Sequence, residues 1–146
     1  MKSIQKLKRV QLQIDHKENL ILLGLVSTEP DYKLSLYINR KFKINLRNLA
    51  PLKIRSETGN ELTFSRFSDQ SGSSGLTHDL FSNRSGKYFL LKKLKNIDYL
   101  FLMHNTEDDQ NIETITSVLR EMESVNAVFN IDLDNFKDKN LQYLTL

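Results

Sequence analysis

Apolar and polar residues change period several times along this chain, and each change marks an element. Val10, Leu12 and Ile14 alternate with polar neighbours, the spacing of a half-buried strand. After a polar break at 15–19, residues 20–27 form an almost continuous apolar run, which predicts a buried strand. Thr28, Glu29, Pro30 and Asp31 then supply a helix start: Thr28 suits an N-cap, Pro30 fits the first turn, and the two carboxylates favour the positive helix end. Leu34, Tyr37, Ile38 and Phe42 recur at helical spacing and predict an amphipathic helix ending near Lys43.

Residues 45–51 read as an irregular connector, and the runs 52–57 and 61–67 around Thr58-Gly59-Asn60 predict a hairpin. The serine and glycine stretch 68–75 reads as a flexible loop. Further strands are expected at 76–82, 87–91 and 97–104, with a turn at 83–86. An acidic helix start at 106–109 leads into the stripe Ile112, Ile115, Leu119 and Met122. Residues 125–131 close the order as a strand, before a polar turn and a short apolar tail over 132–146. The pattern predicts a single α+β domain over 1–146, with residues 1–7 frayed. Its expected form is a largely antiparallel sheet of six to seven strands with two amphipathic helices packed on one face. Tyr99, Leu100, Phe101, Leu102 and Met103 make both faces of their strand apolar, so the face opposite the helices is expected to need a second layer or a partner.

The chain has no Cys, which removes disulfides, thiolate metal sites and a cysteine nucleophile, and fits a reducing compartment. Its apolar runs are strand-sized, too short to span a bilayer, so the expectation is a soluble, cytoplasmic protein without a membrane partner. The formal net charge of +3 hides a division: residues 1–60 carry 12 basic against 5 acidic side chains, and residues 96–146 carry 3 against 10. Such asymmetry fits either an anionic partner or two parts that face each other within the fold or across a homodimer. The second reading is preferred here.

Candidate chemistry is sparse. His16, His78 and His104 lie far apart without metal-ligand spacing, so no metal site is expected. No Gly-x-Ser-x-Gly or phosphate-loop pattern occurs, so neither a catalytic residue nor a cofactor is assigned. Glu107, Asp108 and Asp109 suit a helix N-terminus, and Asp132, Asp134 and Asp138 read as a solvated turn because the calcium-loop Gly and Glu are missing. Arg40, Lys41, Lys43 and Arg47, with Lys53 and Arg55, could join Lys92, Lys93 and Lys95 in an anion-binding surface. Asp98 interrupts an apolar run, and a buried carboxylate needs a partner.

At Ile97-Asp98-Tyr99 the chain resembles the bacterial family named IPExxxVDY, whose signature places an Ile-Pro-Glu triplet three residues before Val-Asp-Tyr. Leu91-Lys92-Lys93 occupies the first half here and lacks the Pro and the Glu. Leu23-Gly24-Leu25, Asp31-Tyr32-Lys33-Leu34 with Ile38-Asn39, and Phe81-Ser82-Asn83 follow the family in order. The resemblance implies this domain, with no assigned biochemical activity. The function expected is therefore a non-catalytic protein-interaction or structural module, self-associating or bound to another protein, with nucleic-acid binding through the basic surface as the alternative.

Overall fold

The computed structural model describes residues 20–70, 76–104 and 112–145. The strand expected at 10–14, the frayed start, His16, the loop positions 71–75 and the acidic helix start at 106–109 lie outside them. Six strands, β1 (Ile21–Val26), β2 (Arg47–Arg55), β3 (Glu61–Asp69), β4 (Thr77–Ser82), β7 (Tyr99–His104) and β8 (Ala127–Ile131), form one sheet in the order β2-β3-β4-β7-β1-β8. All neighbours are antiparallel. The pair β5 (Arg84–Ser85) and β6 (Tyr88–Phe89) makes a separate small hairpin that turns at Gly86, whose φ of 59° suits glycine. The α+β class and the antiparallel sheet agree with the pattern of the sequence.

Helix α1 (Asp31–Phe42) starts two residues later than expected: Pro30 is its N-cap without a side-chain hydrogen bond, and its carbonyl accepts from the Lys33 and Leu34 N–H groups at 3.1 and 3.0 Å. Thr28 therefore does not cap it. Lys43 ends the helix in the left-handed region, φ 56°, where the Ile44 N–H returns to the Asn39 carbonyl at 3.1 Å. The Asn39 amide then clamps the connector, taking the Leu46 N–H at 2.7 Å and donating to its carbonyl at 3.2 Å. This anchoring starts β2 at Arg47, well before the expected residue 52. Pro51 is accommodated where the register shifts between Leu49 and Leu52 on the open edge of the sheet.

The period-2 alternation sorts the sheet into two apolar faces. Leu23, Leu25, Leu80, Tyr99, Phe101 and Met103 pack under Leu34 and Ile38 of α1 and Leu119 of α2 (Ile112–Arg120), so both helices do lie on one face. Leu22, Phe64, Phe81, Leu100 and Leu102 point the other way. Of the two coverings expected for that second face, a second layer or a partner, the chain supplies the layer. Leu90, Leu91 and Ile97 from the segment after β6 cover it, together with Leu133 and Leu144 from the C-terminal stretch that ends in a 3-10 helix, Lys139–Thr145. Burying a Leu or Phe side chain contributes about 1.5–3 kcal/mol, so the chain supplies its own second layer. The expected strand at 87–91 is accordingly reduced to Tyr88–Phe89, because the residues after it leave the hairpin to cap the sheet.

Candidate anion-binding cleft

The covering segment is held by Asn83, which is fully buried. Its amide nitrogen donates to the Leu94 and Ile97 carbonyls at 2.9 and 3.0 Å, and its oxygen accepts from the Leu91 N–H at 2.8 Å. Gly24 lets the same segment approach β1: a Cβ there would stand 2.9 Å from Ile97 Cδ1. On the C-terminal side, Asn140 donates to the Leu90 carbonyl at 2.7 Å. These contacts fix the 90–97 backbone and with it Lys92 and Lys95.

Between this segment, the β2–β3 hairpin and the start of the 3-10 helix lies a cleft of about 360 Å³, within the range of ligand pockets. Ile54, Leu62 and Phe64 form an apolar floor, and Tyr88 and Phe89 a wall. Four lysines, Lys87, Lys92, Lys95 and Lys139, line it against one carboxylate residue, Glu57; Arg55 borders it at the end of β2, where strand alternation with Ile54 turns its side chain to the other face of the sheet. Lys92 Nζ and Lys139 Nζ each stand 3.6 Å from Glu57 Oε1. Lys87 lies over the Tyr88 ring at 5.8 Å, and Arg84 over Phe89 at 4.9 Å. The concavity can hold an anion that also carries apolar surface.

The basic surface expected from the sequence is divided by the sheet. Lys92 and Lys95 line the cleft, whereas Lys93, between them, is exposed and does not. Arg40 and Lys41 lie beyond the sheet on α1, where a shallower hollow with Tyr37, Met122 and Glu123 forms. There Lys41 pairs with Glu121 at 3.7 Å, one instance of the basic part meeting the acidic C-terminal part. Lys43 ends that helix, and Arg47 stands at the far end of β2 from Arg55. Charge density alone could not say that Lys87, Lys139 and Glu57 join Lys92; the fold brings them together.

The signature residues have structural places. Ile97 is buried against Gly24. Asp98 accepts from Arg84 Nε at 2.6 Å and from the Ser27 N–H at 2.9 Å, so the carboxylate in the apolar run is paired. The Tyr99 hydroxyl donates to the Glu29 carbonyl at 2.6 Å, and its pKa is pushed up to about 12, chiefly by burial and then by the charges of Asp31, Asp98 and Glu29. Family models and curated proteins give no match to this chain.

A second polar group sits within the sheet. Asp79 is 2% exposed, 3.2 Å from both Arg66 and His104. Burial acts to raise its carboxyl, but the His104 hydrogen bond and the Arg66 charge outweigh this and leave it below the usual range. His78, on the opposite face, stacks on Phe101 at 5.8 Å, and burial pushes its imidazole below 6.5 against the opposing pull of Asp69 and Asp79. Among the described residues no three His, Asp or Glu side chains are grouped to hold a metal ion. No described helix is long and apolar enough to cross a membrane.

Proposed function

We propose that this chain is a non-catalytic protein-interaction module, akin to the IPExxxVDY family, and that the lysine-lined cleft is its binding surface. The observation that carries this reading is the convergence of four lysines from separate segments on one apolar concavity. Charge of one sign around low-dielectric walls focuses the field and draws an oppositely charged partner. Self-association driven by an uncovered apolar sheet face loses its argument, since that face is covered by the chain itself. A cytoplasmic location goes with this reading.

Site-specific photocross-linking in cells tests it. A photoreactive residue at Lys95, in the cleft, should give a discrete protein adduct that survives nuclease, while one at Arg40, across the sheet, should not. Adducts that vanish with nuclease would favour the nucleic-acid alternative, and equal adducts from both positions would overturn the assignment of the cleft.

A further inference from the structure

Resting on that reading of the cleft, we infer that Glu57 is an internal occupant of the site, and that the ligand is an acidic peptide segment whose carboxylate displaces it while an apolar side chain enters the floor. One oxygen, Glu57 Oε1, stands 3.6 Å from both Lys92 Nζ and Lys139 Nζ, so the two ammonium groups already share a carboxylate. The pairs are long and Glu57 is 76% exposed, so holding them contributes little. The turn beneath is firm: Ser56 N–H reaches the Asn60 carbonyl at 2.8 Å, Gly59 N–H the Ser56 carbonyl at 3.0 Å, and Gly59 has φ 88°. Rotation of the Glu57 side chain alone therefore opens the lysine pair, with no backbone change.

The chemistry of the lining favours a carboxylate over a nucleic acid. Its lysines, Lys87, Lys92, Lys95 and Lys139, attract carboxylate and phosphate alike as point charges, so the rest of the lining decides. The first turn of the 3-10 helix at Lys139 is already occupied, since Asn140 N–H donates to Asp138 Oδ1 at 2.9 Å. Base stacking needs free aromatic faces. Here Tyr88 and Phe89 each have a cation over the ring. Ile54, Leu62 and Phe64 offer instead a floor that an apolar residue of a peptide can bury against.

The test is fluorescence anisotropy of the full chain with a labelled ten-residue peptide of Glu and Asp around a central Phe, the same peptide with Ser for Phe, and a single-stranded RNA of matching charge. Glu57→Gln should tighten the acidic peptide about three- to tenfold, since two exposed ion pairs no longer compete. Glu57→Ala should do the same, with both melting curves unchanged. Lys139→Glu should weaken binding, and the Ser peptide should bind less than the Phe peptide. Unchanged or weaker peptide binding by both Glu57 variants would overturn the occupant role. RNA binding tighter than the peptide, or no peptide binding at all, would overturn the ligand class. A Lys95 cross-link obtained alongside either result would leave the cleft itself standing, so the two failures are distinguishable.

Discussion

Arg84 Nε lies 2.6 Å from Asp98 Oδ1, and the other oxygen of the same carboxylate takes the Ser27 N–H at 2.9 Å. The carboxylate is largely sheltered, its side chain 18% exposed, but the arginine is half in water at 48%. Asp98→Ala therefore removes two partners from a group that is costly to replace, while leaving Arg84 free to hydrate. The loss in a urea titration should be about 1–3 kcal/mol, below the penalty for stranding a fully buried charge. A change near zero would mean that the pair contributes nothing to stability.

Gly24→Ala should destabilise by about 1–3 kcal/mol, the cost of overpacking a filled core. The new Cβ would meet Ile97 Cδ1 at 2.9 Å, with Cγ1 and Cγ2 at 3.1 and 3.2 Å, so the whole side chain must move. Adding Ile97→Val deletes the nearest of these atoms and should recover part of the loss. Independent, additive effects of the two substitutions would contradict the contact.

Asn83→Ala leaves two carbonyls and one N–H of the covering segment without their partner. The cost should be about 2–4 kcal/mol, read by denaturation. Hydrogen exchange should quicken first at residues 91–97, since those amides and carbonyls depend on Asn83 for their order. Exchange that rises uniformly along the chain would show that Asn83 does not specifically hold this segment.

His78 ties stability to pH. Its folded pKa lies below 6.5, so above 6.5 both states hold the ring neutral and its contribution is complete. As pH falls below 6.5 the unfolded chain takes up the proton first, and stability is lost until the lowered folded value is passed. The urea midpoint should fall between pH 7.5 and 5.5, and the fall should be smaller in His78→Gln. An identical fall in the variant would assign the effect to another group. Asp79 acts in the same direction at lower pH: its contribution is present above 3.8 and is lost as acid passes its depressed folded value.

The parts of this fold that repeat with a period could be read from the residues. Leu34 and Ile38 announced α1, the 20–27 run announced β1, and Thr58-Gly59-Asn60 announced the β2–β3 turn. Leu90, Leu91 and Leu133 cover the second face from irregular backbone and Leu144 from the 3-10 helix, so none of them lies in a sheet strand or an α-helix. The sequence asks for a second layer or a partner over Tyr99–His104 and places Leu90 and Leu91 in a strand, without showing that this segment and the C-terminal stretch supply the layer. The candidate site was legible only as basic residues. Lys92 and Lys95 belong to it, Arg40 and Lys41 do not, and Glu57, Lys87 and Lys139 enter only through tertiary contacts. Asn83, the positioning residue, stands in the sequence only as the first residue of the 83–86 turn and the last of the family-like Phe81-Ser82-Asn83.

Amide NMR spectra of the isotope-labelled full chain, titrated with the Phe-centred acidic peptide, report directly on whether the cleft is the binding surface. Shifts are expected at Glu57, Lys87, Tyr88, Lys92, Lys95 and Lys139, which line the cleft. Arg40 and Lys41, beyond the sheet, should stay in place. Shifts confined to Arg40, Lys41 and their neighbours on α1, with the cleft residues unmoved, would contradict the cleft as the binding surface.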